Sequence, residues 1–320
     1  MTRSQVMRTV LVTGASGFIG RHIVGTLAKA GWQVRAASRD PTSASAIAGA
    51  ERVAMPDLAR PADWSPLVKG VNHVLHLAGI AHGPGTLPDD LYRRVNAEAV
   101  GELAQAARDS IERFVLISSV RAQAGLAADH VITEHDAPQP TDPYGRSKIE
   151  AERLLKDSGV GFTVLRPAVV YGRGVKGNIA SLATLAQTPM PLPFGALDNR
   201  RSLLALENLA SAIALVLTSA EAEGETYLAA DTEPISVAEL VAAMRRGLGR
   251  SPHLVRVPAK AVKRLIATFG KESEWERLSG SFVIDAAKLR GIGWAPRVKT
   301  PDGIAKMMRA SDDNGAPPPG

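Results

Sequence analysis

TVLVTGASGFIGRHIVGTLAKA, residues 9–30, reads as three parts in succession. Thr9 to Thr13 is an apolar, β-branched run, the composition of a strand buried on both faces of a parallel sheet. It passes directly into Gly14-Ala15-Ser16-Gly17-Phe18-Ile19-Gly20, with glycines three apart. Ile19, Ile23 and Leu27 then recur at i, i+4 and i+8, the period of a helix. Strand, glycine turn and helix in this order suit a dinucleotide. Glycines permit a tight turn and close approach of backbone to a pyrophosphate, whose charge sits at the helix N-terminus. Gly14, Ser16, Gly17, Phe18, Ile19 and Gly20 are therefore the first expected cofactor contacts.

The 320 residues are enough for one large domain or two modest ones with a real core. A hydrophobic content of 45% with 22% charged residues is that of a globular protein. The formal net charge is +6, but the basic residues are scattered and aromatics make up only 4%, so stacking platforms are scarce. Those features argue against a nucleic-acid partner and for a surface that attracts small anionic substrates. The absence of cysteine excludes disulfides and thiolate chemistry without identifying a compartment. The leader MTRSQVMR is short and polar, and no apolar run approaches the roughly 18 residues of a membrane span. A cytoplasmic protein without membrane insertion is expected.

Beyond the first helix, Gln33 to Ala37 reads as a second strand ending at Ser38-Arg39. In nicotinamide-binding folds the end of this strand meets the adenosine ribose. An acid there bonds the 2′-hydroxyl, whereas an Arg nearby accommodates a 2′-phosphate. Ser38 followed by Arg39 favours NADP(H). NAD(H) stays open, because Asp40 is adjacent and serves NAD after a shift of register. Arg52 to Met55 reads as a third strand leading to Asp57-Leu58, and His73 to Leu77 as a fourth ending in His76-Leu77-Ala78-Gly79. Asp57, with Leu58 beside it, is placed to meet the adenine edge, and Leu77, Ala78 and Gly79 the cofactor. His73 and His76, three apart on a strand, face opposite sides. With no Cys and no HExxH pattern, no metal site is expected.

Ile80 to Pro88 is a Gly/Pro-rich loop, and Leu91 to Asp109 a long Ala-rich helix carrying Asn96. A fifth strand, Phe114 to Ile117, delivers Ser118-Ser119 to its C-terminal end, where ligands bind in open α/β sheets. Pro143-Tyr144-Gly145-Arg146-Ser147-Lys148 opens a helix that continues to Leu155. A sixth strand, Phe162 to Leu165, ends in Arg166-Pro167. This alternation predicts an α/β fold with a right-handed, doubly wound parallel sheet. The texture changes near Tyr171, where Gly172 to Gly177 and Pro189 to Gly195 are Gly/Pro-rich. Leu203 to Leu206 reads as a strand and Glu207 to Thr218 as a helix, both returning to the main domain. Thr226 to Ala229 reads as a strand, and 237–248, 259–269 and 301–308 as helices. The predicted division is a nucleotide-binding domain over 1–170 plus about 202–228, a smaller substrate lobe over 171–201 and 229–310, and a frayed tail at 311–320.

Tyr144 and Lys148 are i and i+4 and share one helix face. A tyrosine phenol ionises near pH 10, so as a catalyst at neutral pH it needs a neighbouring positive charge. Lys148 supplies it, and the Ser119 hydroxyl can hold a substrate oxygen against the Tyr. The three would move a proton on or off a C–OH or C=O while a nicotinamide carries the hydride.

GASGFIG (14–20), HLAG (76–79), Asn96, the strand ending ISS, YGRSK and LRPAVVYG (165–172) together resemble the extended short-chain dehydrogenase/reductase family, the NAD-dependent epimerases and dehydratases. DAAKLRGIGWAP (285–296) is similar to that family's C-terminal segment, so the resemblance covers nearly the whole chain. It implies a Rossmann-like sheet with a smaller C-terminal substrate-binding lobe, an NADP(H) or NAD(H) cofactor and a UDP-sugar substrate. It also implies a homodimer formed through the helices carrying Tyr144 and Asn96. Ser119, rather than Ser118, would be the catalytic hydroxyl and Tyr144 the acid/base. Lys148 would bind the nicotinamide ribose and lower the Tyr pKa. Asn96 would support the active-site helix or a proton-relay water. Arg201 falls where the diphosphate is held, a role suited to a bidentate guanidinium. Asn178 is a further substrate contact or a helix N-cap, and Pro193-Phe194 would border the uracil.

One position departs from the family pattern. Members that hold NAD carry an acid where this chain has Ser38, which argues against an epimerase that must retain an oxidised cofactor. SSVRAQAG (118–125), YGRGVKGN (171–178) and NRRSLLALENLA (199–210) look more like bacterial UDP-4-keto-6-deoxy-N-acetylhexosamine 4-reductases, which make precursors of surface polysaccharide. The expectation is such a reductase. A UDP-hexose 4-epimerase is the alternative, and a non-catalytic NADP-binding regulator a third reading.

Overall fold

The computed structural model describes residues 8–42, 49–81, 87–268, 275 and 279–312. Residues 1–7 of the leader, 82–86 of the Gly/Pro-rich loop, Phe269 and 313–320 of the tail lie outside the described residues. The first half of the chain alternates strand and helix: β1 (Thr9–Thr13), α1 (Phe18–Lys29), β2 (Gln33–Ser38), β3 (Ala50–Ala54), α2 (Ser65–Val68) and β4 (His73–His76). Then come α3 (Asp89–Arg93), a π turn (Arg94–Glu98), α4 (Ala99–Ala107), β5 (Arg113–Ile117), α5 (Val120–Gln123), β6 (Val131–Ile132) and α6 (Pro143–Asp157). The middle of the chain adds β7 (Phe162–Pro167), β8 (Val169–Tyr171), α7 (Asn178–Gln187), β9 (Arg200–Arg201), β10 (Leu203–Ala205) and α8 (Leu206–Val216). It closes with β11 (Glu225–Ala229), β12 (Ile235–Ser236), α9 (Val237–Gly247), α10 (Ala259–Ala267), β13 (Val283–Ile284), α11 (Ala287–Gly291) and α12 (Thr300–Asp312).

Among the described residues, seven strands form one sheet in the order β11-β7-β5-β4-β1-β2-β3, and every pair is parallel. This is the α/β, Rossmann-like doubly wound architecture expected. Strands covered on both faces read as unbroken apolar runs, and β5, RFVLI, is buried at every position. Side chains alternate between faces. Val10 and Val12 join a core with Ile23 and Leu27 of α1 and Leu209 and Ile213 of α8. Leu11 joins the opposite core with Trp64, Leu103 of α4 and Leu155 of α6. β3 is the outer strand on one side and is mostly exposed, with Glu51 and Arg52 on it, the charged composition that discourages edge-to-edge pairing.

A third core lies beyond the sheet, built from Tyr171, Ile179, Leu182, Phe194, Leu240, Met244, Ile304 and Met308. Short strand pairs surround it: β8 with β10 in parallel, β9 with β12 antiparallel. The 203–206 strand therefore pairs outside the main sheet, whereas α8 packs back onto α1. Asp231, 4% exposed, ties these parts together. It accepts from Tyr171 Oη at 2.8 Å, Asn208 Nδ2 at 2.7 Å, Thr300 Oγ1 at 3.1 Å and the Ala205 N–H at 3.0 Å. Burial pushes its carboxyl above the usual range while these donors pull it back. A buried charge is tolerated only with such a set of partners.

Candidate active site

The strand order reverses at β1, whose neighbours are β2 on one side and β4 on the other. In open parallel sheets ligands bind outside the carboxyl ends of strands at such a switch point. Thr13, the last residue of β1, bolts that point together. Its hydroxyl lies 3.0 Å from His76 Nδ1 and accepts from the N–H groups of Leu77 at 3.2 Å and Ala78 at 3.3 Å. Burial pushes His76 down to about 3, so it is neutral at physiological pH and fills space rather than moving protons. Gly14 follows at φ +68, and a Cβ there would meet the Ala78 backbone nitrogen at 2.9 Å. A Cβ on Gly20 would stand 2.2 Å from the Gly14 carbonyl oxygen. Both glycines let α1 start hard against the turn. Gly17 caps α1, and its first turn carries no acidic side chain. The positive end of the helix and its unpaired N–H groups, at Phe18 and Ile19, suit the pyrophosphate of an NAD(P) nucleotide. Ser16 lies half-buried in the same turn.

At the end of β2, Ser38 is 2% exposed and its hydroxyl donates inward to the Asp40 carbonyl at 3.0 Å. Arg39 is exposed. The Asp40 carboxylate accepts from the Thr42 N–H at 2.8 Å and the Thr42 hydroxyl at 2.6 Å. Asp57 is exposed and accepts from the Ala59 N–H at 3.0 Å, with Leu58 buried beside it. Leu77, Ala78 and Gly79 follow β4, and a Cβ on Gly79 would meet Asn96 Oδ1 at 2.7 Å and Lys148 Nζ at 3.7 Å. The segment after β4 therefore packs directly against Asn96 and Lys148.

Ser119 follows β5 and caps α5, its Oγ accepting from the Arg121 N–H at 3.1 Å. Tyr144 lies in the first turn of α6. Asp142 caps that helix, accepting from the Gly145 N–H at 2.6 Å, and Pro143 occupies its first position. Burial raises the Tyr144 phenol above its ordinary pKa, and a hydrogen bond with the Ser119 side chain pulls it partly back. Lys148 reaches from α6 to the Ile117 carbonyl at 3.1 Å, with Nζ 5.9 Å from the centre of the Tyr144 ring. Burial lowers its pKa to about 8, against the carboxylate of Glu152, which raises it. Asn96 is fully buried in the π turn. Its amide accepts from the Ile80 N–H at 2.8 Å and donates to the Ile80 carbonyl at 2.9 Å and Ser147 Oγ at 3.0 Å. It thereby fixes the loop after β4 to the helix of Tyr144 and Lys148. Ser119, Tyr144, Lys148 and Asn96 are thus brought together.

Sequence reasoning missed the layer behind them. Glu152 is 1% exposed and meets Arg166 through Nε at 2.9 Å and Nη2 at 2.5 Å. Ser118 Oγ donates to the same carboxylate at 2.5 Å, and Gln123 accepts from Arg166. Glu152 was findable, being four residues beyond Lys148 on the same helix face. Arg121 pairs with Asp142, a contact across 21 residues of chain that no spacing rule announces.

Arg201, on β9, is half-buried, donating to the Gly280 carbonyl at 2.6 Å and the Leu126 carbonyl at 3.3 Å. Its neighbour Arg200 is exposed and pairs with Glu239 at 3.1 Å. Burial and the charge of Arg121 lower Arg201 to about 10. Asn178 is half-buried as the first residue of α7, whose cap is Gly177 at φ 69. Phe194 is buried in the lobe core. Among the described residues no cluster of three or more His, Asp or Glu could hold a metal ion, and no helix is long and apolar enough to cross a membrane.

Comparison with known proteins adds independent findings. A model described as the NAD dependent epimerase/dehydratase family matches residues 10–230. A UDP-glucose 4-epimerase of Vibrio cholerae is 32% identical over 315 residues, 95% of this chain and 95% of its own. A 4-hydroxy-2-methyl-3-oxo-4-farnesyl-3,4-dihydroquinoline-1-oxide ketoreductase of Stigmatella aurantiaca is 27% identical over 331 residues, 95% of this chain and 96% of that one. The solved structure of MoeE5 in complex with UDP-glucose and NAD matches with a TM-score of 0.75 and 25% identity, covering 96% of this chain and 100% of that one.

Proposed function

This chain belongs to the NAD dependent epimerase/dehydratase family, and on that premise we propose that it uses NADPH to reduce C4 of a UDP-4-keto-6-deoxy-N-acetylhexosamine. The observation that carries this reading is the end of β2. Asp40 is the acid that would serve a ribose 2′-hydroxyl, and its carboxylate is engaged by Thr42. Arg39 is exposed and available to a 2′-phosphate. A cofactor that carries that phosphate suits stoichiometric reduction better than an internal oxidation and return.

The glycine turn from Gly14 to Gly20 and the Leu77–Gly79 segment would hold the nucleotide, which supplies the hydride when bound. Everything else is work for this chain's own side chains. Tyr144 is protonated at neutral pH, as a phenol ordinarily is and as burial reinforces, the form needed to give a proton to the carbonyl oxygen as it gains charge. Ser119, whose side chain acts on the Tyr144 phenol, would hold that oxygen against the Tyr. Lys148, cationic below about pH 8, binds the nicotinamide ribose and stabilises the phenolate left by the transfer. Fixing carbonyl and acid together contributes proximity and electrostatic stabilisation of the developing alkoxide. Arg201 would hold the diphosphate and Asn178 the sugar, and the helices carrying Tyr144 and Asn96 would form the interface of a homodimer.

A second reading, a UDP-hexose 4-epimerase, is favoured by the Vibrio cholerae relative. The test is turnover of both substrates by one preparation. The reductase consumes NADPH with a UDP-4-keto-6-deoxy sugar and leaves UDP-glucose unchanged. Conversion of UDP-glucose to UDP-galactose without added cofactor would put the epimerase in its place. Tyr144→Phe is expected to lower kcat about 10²–10⁴-fold, the range for loss of a general acid, while NADPH binding survives.

A further inference from the structure

Arg121 lies two residues beyond Ser119, within α5. Its guanidinium is committed on one side only. Nη2 pairs with Asp142, the residue that caps the helix of Tyr144, whereas Nη1 is buried with no hydrogen-bond partner among the described residues. Buried guanidinium donors are ordinarily satisfied, so an unpaired one beside a reacting pair points to an acceptor that the chain does not supply.

Arg201 shares this region. Its guanidinium donates to the carbonyls of Gly280 and Leu126, and Leu126 belongs to the segment that follows α5. Its charge lies 5.9 Å from the Phe282 ring, and none of its hydrogen-bond acceptors is a carboxylate. The Arg121 N–H donates to Ser119 Oγ, its carbonyl lies against Gly145 beside Tyr144, and Arg201 reaches the carbonyl five residues further along, where the two charges repel. Asp142 neutralises one of the two cations. Arg201 has no such carboxylate among its acceptors.

We propose that Arg121 is a substrate-binding residue whose unpaired Nη1, together with Arg201, clamps the sugar-proximal phosphate of a nucleoside diphosphate sugar. The inference rests on the nucleotide-sugar reading above and names the group that Arg121 holds. A phosphate presents several acceptor oxygens, which two guanidinium forks can share. Arg121 is tied to both ends of the ligand path: its partner Asp142 caps the helix of Tyr144, and Arg201 bonds the Leu126 carbonyl in the segment after α5.

The test is calorimetric binding of UDP and UMP to the NADPH-loaded protein, since the two ligands differ only in that phosphate. Wild type is expected to prefer UDP. Arg121→Gln is expected to lose about tenfold in UDP affinity, roughly the energy of one charged hydrogen bond, with UMP and NADPH affinity unchanged. Arg121→Lys keeps a charge opposite Asp142 but lacks the second nitrogen. It is expected to show the same selective loss, and it carries the test if the Gln variant does not fold. Asp142→Asn keeps a cap for α6 and breaks the ion pair, and is expected to retain the UDP preference. Unchanged UDP affinity in Arg121→Lys, an equal loss for UMP, or the same loss in Asp142→Asn would each overturn the clamp. Failure of wild type to bind either nucleotide would instead overturn the nucleotide-sugar reading itself, and the clamp with it.

Discussion

At the scale of single residues, the proposed chemistry depends on keeping the buried Lys148 and the half-buried Tyr144 in the right protonation states. Lys148 is cationic below about pH 8 and loses its charge above it, while the raised Tyr144 phenol stays protonated through that range. The alkaline limb of kcat/KM is therefore expected near pH 8, read from initial rates across pH at saturating NADPH. A profile flat to pH 10 would remove Lys148 from its role. The same shift has a signature in stability. A lysine lowered from 10.5 to about 8 on folding binds fewer protons than in the unfolded chain between those values. Its penalty is complete below pH 8 and is relieved as pH rises through the window. Glu152 moderates this penalty and neutralises Arg166. Glu152→Gln leaves that buried cation without its carboxylate and is expected to lower stability by about 3–5 kcal/mol, measured by urea unfolding. Tyr144 and Lys148 were legible because they sit at i and i+4 of one element, whereas Glu152, at i+8 of the same helix, was missed. Pairs formed across distant segments, such as Arg121 with Asp142, were not legible, because no local pattern encodes them.

At the scale of elements, the legible parts were those whose periodicity and caps agree. The strand–turn–helix at 9–30 forms β1, the glycine turn and α1 as read, and the Asp142-Pro143 pair sits where a helix start requires it. The long helix around Asn96 is different. It begins at Asp89 rather than Leu91 and carries a π turn at Arg94–Glu98, and one extra residue per turn leaves almost no trace in a 3.6-residue pattern. The turn has a consequence for the site. It places the Asn96 amide on both polar groups of the Ile80 backbone and on Ser147. Asn96→Ala leaves the buried Ser147 hydroxyl without this donor and the Ile80 backbone without its partners. A loss of about 1–3 kcal/mol is expected from unsatisfied polar groups, seen in thermal unfolding, together with weaker NADPH binding because Gly79 packs on the same amide. Full stability in that variant would reduce Asn96 to a spectator.

At the scale of the whole molecule, the described residues form three apolar cores, two flanking the main sheet and one beyond it. The change of texture near Tyr171 falls where the third core begins, but the way the chain recrosses was hidden. β10 leaves the main sheet to pair with β8, and Asp231 gathers Tyr171, Asn208 and Thr300 from three distant segments. Two-residue strands such as β9 and β12 are too short to carry a pattern. What the whole molecule does with its cofactor turns on the end of β2, where an exposed Arg39 stands beside an occupied Asp40. The most direct test is therefore the nucleotide itself: mass spectrometry of what the purified protein releases, followed by titration with NADPH and NADH. If the protein is the proposed NADPH-dependent reductase, it releases no stoichiometric NAD and binds NADPH about tenfold or more tightly than NADH, a preference lost in Arg39→Ala, as removal of one charged phosphate contact implies. Protein that carries stoichiometric NAD through purification, or that binds the two reduced cofactors equally, would contradict it and leave the epimerase.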